Sequence, residues 1–102
     1  MVIQFTKDTI QESSQPIIIK AFATWCSHCV KMKPIFEQLE KELGKKYIFA
    51  ELDVDKFPEI AHDINVESIP AFIFIKNKNE KHRVVGEITH NELKEALEKY
   101  LG

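Results

Sequence analysis

The sequence predicts an α/β fold: a central mixed sheet of four to five strands flanked by helices on both faces. Three observations lead there. Apolar, β-branched runs that read as strands buried on both sides, PIIIKAF and YIFAELDV, alternate with segments whose apolar residues recur at helical spacing. The pattern then changes to two strands in succession, AFIFIK and KHRVVG, joined by NKNE; such a hairpin makes the sheet mixed. Finally, 102 residues is the length of one domain, residues 1–102, which buries roughly two-thirds of its unfolded surface.

Val2 to Phe5 is a candidate first strand. Phe5, Thr6 and Ile10 form a staple-and-cap pattern that predicts a short helix over about Thr6 to Ser14. Pro16 opens the PIIIKAF strand, in which Lys20 is the only charged residue. Cys29, Met32, Phe36, Leu39 and Leu43 follow at spacings of 3, 4, 3 and 4, one face of a long helix that Gly44 ends and Pro34 should bend. After YIFAELDV, Asp55 reads as the cap of a short helix through Phe57, Ile60, Ala61 and Ile64, with Asn65 as its left-handed stop. Thr89 and Glu92 form a capping box ahead of Leu93, Ala96, Leu97, Tyr100 and Leu101, the stripe of a last helix.

Apolar residues make up 44% of the chain and charged residues 29%, an ordinary globular balance. The net charge of -2, from 14 basic and 16 acidic residues, offers no polybasic surface, so no nucleic-acid partner is expected. No apolar run approaches the roughly 20 residues that span a bilayer, and no membrane partner is expected. MVIQFTKDTI lacks the basic segment and apolar stretch of a secretory leader, which makes the cytoplasm the expected location. His62, His82 and His90 have no partners at metal spacing and read as surface residues.

Only two cysteines are present, Cys26 and Cys29, where the PIIIKAF strand gives way to the long helix. A disulfide framework usually uses more, and a structural zinc site usually takes four ligands. The count therefore favours a redox pair, with no metal or cofactor. At a helix start the free N–H groups and the positive dipole end favour a thiolate. Cys26, after Trp25 at the loop edge, is the expected exposed nucleophile, and Cys29, on the apolar stripe, the shielded resolving cysteine. Three alternatives stand beside this: two buried structural cysteines, a metal- or iron–sulfur-binding module that borrows ligands from another chain, and a redox-inactive binding or chaperone domain.

FATWCSHCVKMKP, VESIPAFIFIKN and VVGEITHNELKEAL resemble, in order and spacing, three segments of the thioredoxin family, and the resemblance covers essentially the whole chain. It implies a thioredoxin-like fold and a thiol–disulfide oxidoreductase, a protein-disulfide reductase that works through a mixed disulfide. The implied partners are disulfide-containing proteins and a thioredoxin reductase or another dithiol donor, with the chain a monomer. Pro70 falls on the family's cis-proline, and the Ile69 backbone would pair with an extended substrate segment. Trp25, Pro70 and Gly86 would outline a shallow docking surface around Cys26. A trans Pro70 starting an edge strand and a Trp25 buried as core filler are the alternatives.

Two departures from the family pattern stand out. Ser27-His28 replaces the usual Gly-Pro between the cysteines and resembles disulfide isomerases and periplasmic oxidants. A donor or imidazolium on His28 would stabilise the Cys26 thiolate, and a stabilised dithiol makes the disulfide more oxidising; a solvated surface histidine is the alternative. Lys20 occupies the position of the family's buried acid and Glu51 that of its partner lysine. Glu51 is then a candidate proton acceptor for Cys29 with Lys20 paired to it, unless Lys20 snorkels to solvent and takes no part.

Overall fold

The computed structural model describes residues 1–102. The elements run β1 (Ile3–Gln4), α1 (Thr9–Glu12), β2 (Ile17–Phe22), α2 (Ser27–Leu43), β3 (Ile48–Asp53), α3 (Pro58–Asp63), β4 (Ala71–Lys76), β5 (Asn79–Val85) and α4 (His90–Leu101). The strands form one sheet in the order β1-β3-β2-β4-β5. β1, β3 and β2 are parallel, whereas β4 pairs antiparallel with both β2 and β5. This is the mixed, five-stranded sheet the patterning predicts.

β2 is the central strand, and its two-residue period sorts the core. Ile17 and Ile19 pack with Phe5, Leu52, Ile73 and Ala61 of α3 on one face. Ile18 packs with Phe36 of α2 and Leu93 and Leu97 of α4 on the other. A strand covered on both faces needs apolar residues at every position, which is why PIIIKAF shows no polar alternation. Lys20 belongs by parity to the α2 face and is the exception that matters below. Phe36 meets Phe49 edge-on at 5.2 Å between centroids, and truncating such a buried ring to Ala costs about 3–5 kcal/mol.

The α2 stripe is buried as its spacing predicts, and the helix runs through Pro34, which lies on the exposed side. Gly44 caps it in right-handed conformation (φ -64°), and a Cβ there would run into Glu40. Asn65 takes the left-handed stop (φ 57°). Asn77 and Lys78 are also left-handed (φ 54° and 66°), which makes a two-residue hairpin turn. β5 therefore begins at Asn79, earlier than the sequence suggests. The Thr89–Glu92 capping box is present.

Two expectations need correction. α1 spans only Thr9–Glu12, because Thr6 and Thr9 close a turn first: the Thr6 N–H donates to Thr9 Oγ1 at 2.9 Å and the Thr9 N–H to the Thr6 carbonyl at 3.2 Å. Asp55 does not cap α3. Phe57 is the capping residue with no side-chain bond, and Pro58, which has no N–H to satisfy, starts the helix.

Candidate active site

The β2–α2 junction delivers both cysteines, and both are free thiols. Cys26 has extended backbone (φ -84°, ψ 114°) and caps α2, its Sγ accepting the Cys29 N–H at 3.3 Å. One of the helix's unpaired N–H groups thus ends on sulfur, at the positive end of the α2 dipole.

The expectation that Cys26 is exposed does not hold: Cys26 is 6% exposed and Cys29 3%. The capping bond that steadies the Cys26 sulfur also turns it inward, into an apolar cluster of Ala23, Cys26 and Cys29 against which Phe22, Val54 and Ile69 pack. Trp25, by contrast, is 72% exposed and is not core filler. Its Nε1–H donates to Asp55 Oδ2 at 2.6 Å. Asp55, read from sequence as a cap, instead ties the indole to the β3–α3 loop.

The Ile69–Pro70 peptide is cis, as the resemblance implies. Ile69 is half-buried against the cysteines, and Pro70 is buried. Pro70 therefore backs the docking surface rather than forming part of its face. Its carbonyl accepts the Gly86 N–H at 2.8 Å. Gly86 has φ +99°, a conformation that strains any residue with a Cβ.

His28 is exposed and its Nδ1 is hydrogen-bonded to Glu87 Oε2, with the Lys31 ammonium 4.0 Å from the same oxygen. The hydrogen bond to His28 holds the Glu87 carboxyl below the usual carboxylate range. Sequence reasoning set His28 against Cys26 alone and missed Glu87, because the two residues are 59 positions apart and no periodicity links them.

Lys20 is the one buried charged side chain, 3% exposed. The β2–β3 register sets it beside Glu51, with Nζ 3.7 Å from Oε2. The Phe22 and Phe36 rings lie 5.0 and 5.2 Å from the ammonium. Snorkelling is set aside, since the side chain ends inside the molecule. Burial pushes the Lys20 pKa below the ordinary lysine value, and the Glu51 charge opposes that. Burial also pushes the Cys29 thiol up to about 11, helped by its hydrogen bond with Cys26; the Ala23 backbone and the Lys20 charge pull it down. A cavity of about 630 Å³ lies behind Cys29 and joins it to Lys20 and Glu51, with Phe22, Lys33 and Glu37 among the other walls.

The remaining histidines divide. His62 is exposed, whereas His82 stacks on Tyr100 at 3.9 Å and His90 bonds Glu42 at 2.8 Å, so both are half-buried packed residues. No group of three or more His, Cys, Asp or Glu side chains is placed to share a metal ion.

Known proteins resemble this chain over nearly its full length. The family model described as Thioredoxin matches residues 3–99. A chloroplastic M-type thioredoxin of Spinacia oleracea is 34% identical over 95 residues, which are 93% of this chain and 52% of that protein. Thioredoxin Asp f 29 of Aspergillus fumigatus is 38% identical over 81 residues, 78% of this chain and 74% of the relative. A thioredoxin of Chlorobaculum thiosulfatiphilum is 30% identical over 93 residues, 91% of this chain and 86% of that one. The chain spans about half the length of the chloroplastic relatives it matches.

Proposed function

The chain belongs to the thioredoxin family, and from that premise we propose that it is a thiol–disulfide oxidoreductase that reduces or exchanges protein disulfides. The observation that carries this is the Cys29 N–H bond to Cys26 Sγ at the mouth of α2, with Ile69 packed against the pair.

The Cys26 thiolate attacks one sulfur of a substrate disulfide. That S–S bond breaks, a mixed disulfide forms, and the other substrate sulfur leaves as thiolate and takes up a proton. Cys29 then gives up its proton and attacks Cys26 Sγ. The Cys26–Cys29 disulfide forms, the second substrate thiol leaves, and two electrons have passed to the substrate. The Cys29 proton moves through the cavity toward Glu51, while the Lys20 ammonium stabilises the sulfur left behind.

The substrate is a protein whose extended segment lies along the Ile69 backbone, between Trp25 and Gly86. Another dithiol donor, such as a thioredoxin reductase, resets the pair. One chain supplies every group named, which supports a monomer. A reducing compartment suits the reading: in the cytoplasm the glutathione poise keeps such a pair mostly dithiol and ready to reduce. No helix is long and apolar enough to cross a membrane.

Insulin reduction with dithiothreitol tests the proposal. Wild type should accelerate precipitation of the insulin B chain, Cys26→Ser should not, and Cys29→Ser should stall as a mixed disulfide visible by mass spectrometry. Native thiols that resist alkylation, together with no acceleration, would end the proposal.

A further inference from the structure

Three links close a ring around the cysteine pair. The Pro70 carbonyl holds the Gly86 N–H at 2.8 Å. Glu87, the next residue, bonds through Oε2 to His28 Nδ1. His28 lies between Cys26 and Cys29 in the first turn of α2. Glu87 is thus the one carboxylate hydrogen-bonded to the Cys26–Cys29 segment, and it is carried on the loop tied to the buried cis-proline, Pro70.

We propose that Glu87 is a positioning residue that sets the reduction potential of the Cys26–Cys29 pair, by holding the His28 imidazole at the β5–α4 loop and opposing its charge. The inference rests on the oxidoreductase reading above. Its physical basis is the effect of charge on a thiolate. A free imidazolium beside Cys26 favours the thiolate, stabilises the dithiol and makes the disulfide more oxidising. A carboxylate bonded to that ring contributes the opposite field. When His28 is neutral the carboxylate acts alone and in the same direction, so the sign holds in either protonation state. The charged groups facing the imidazole are Glu87 from the loop and Lys31 from α2, which shares the same carboxylate oxygen. The Glu87 carboxyl sits below the usual range and so keeps its charge through neutral and mildly acidic pH. Glu87 therefore keeps the pair more reducing than Ser27-His28 alone would make it.

The size of the effect follows from exposure. His28 is 63% and Glu87 41% exposed, and solvent-facing pairs are worth about a twofold to fivefold change in an equilibrium constant. The experiment equilibrates the full chain with reduced and oxidised glutathione at neutral pH and low salt, for wild type, Glu87→Gln, His28→Gln and the double variant. Glu87→Gln should shift the balance toward dithiol by about twofold to fivefold. In the His28→Gln background the same change should shift nothing, because a carboxylate without its ring bond swings into solvent. An unchanged potential in Glu87→Gln overturns the proposal, as does an equal shift with and without His28. A wild-type pair that never equilibrates with glutathione overturns the oxidoreductase reading as well, and is thereby told apart from a failure of Glu87 alone.

Discussion

Two pairs of a basic side chain and a carboxylate flank the cysteines, and their surroundings differ sharply. Behind Cys29, Lys20 is 3% exposed, sits between two phenylalanine rings and faces Glu51 across neighbouring strands. In front, His28 and Glu87 join a helix turn to a loop and are 63% and 41% exposed. The same kind of pair does different work in the two places. A buried charge acts on a neighbouring proton through a medium that screens little, and it stays only where its desolvation is offset. A solvated pair has little effect on stability and biases an equilibrium by a small factor. The cation of the rear pair accordingly eases the ionisation of Cys29 against the burial that opposes it, and the front pair adjusts how oxidising the finished disulfide is.

The largest expected effect breaks the rear pair. Lys20→Met keeps the stem that packs on Phe36 and removes the only cation that lowers the Cys29 pKa. With that thiol already up to about 11, each further unit costs tenfold in thiolate. Single-turnover release of a labelled substrate from the Cys26 mixed disulfide should therefore slow at neutral pH, by about tenfold for each unit that the Cys29 pKa rises. Stability should hold, since the Glu51 carboxylate left without its partner is 38% exposed and can be solvated, and the desolvation of a buried ammonium is relieved. Slower release with an unchanged or raised melting temperature separates this role from a structural one. If release were as fast as in wild type, the rear pair would be as silent as an ordinary surface pair and the contrast would fail.

The pH dependence of stability sharpens the same contrast. In the folded dithiol protein the Cys29 thiol lies at about 11, above its ordinary 9.0. The unfolded chain loses that proton first, so this contribution is whole below about pH 9 and is lost as pH rises toward 11. Lys20 runs the other way. Its folded pKa lies below 10.5, so the native ammonium sheds its proton before the unfolded one, and stability is gained as pH climbs through that window. The two slopes oppose each other in wild type. Urea titrations from neutral pH to pH 11 should show a steeper fall in Lys20→Met than in wild type and a flatter one in Cys29→Ser. Identical slopes in all three would remove burial as the cause.

The two pairs were not equally legible in the sequence. Lys20 and Glu51 could be set side by side because the family resemblance places them at a buried acid and its partner lysine on neighbouring strands, and a charge inside an apolar run is conspicuous. The sheet, the α2 stripe and the Thr89 cap were readable because each is a repeat or a motif with fixed local spacing. Glu87 and Asp55 carry no such mark. Each meets its partner, His28 or Trp25, across loops far apart in the chain, and Asp55 also sits where a cap would. The burial of Cys26 was hidden too, because it depends on which way one side chain turns, and the capping bond to Cys29 decides that. The sequence located the sulfurs and the rear charge; the front charge and the depth of the nucleophile came from tertiary contacts.

Salt provides the mildest and most selective way to separate the two regions. Raising ionic strength from 0.1 to 1 M shortens the screening length from about 10 to about 3 Å. The His28–Glu87 pair is open to those ions, so the wild-type glutathione equilibrium should drift toward that of Glu87→Gln, by no more than the twofold to fivefold the pair is worth. The ratio of wild-type to Lys20→Met release rates should stay constant over the same range, because a side chain 3% exposed keeps counterions at a distance. The comparison needs both halves of this result. A release ratio that fell in step with the glutathione equilibrium would mean that ions reach Lys20 through the cavity. The difference between the two pairs would then be one of position along the chain and not of dielectric environment.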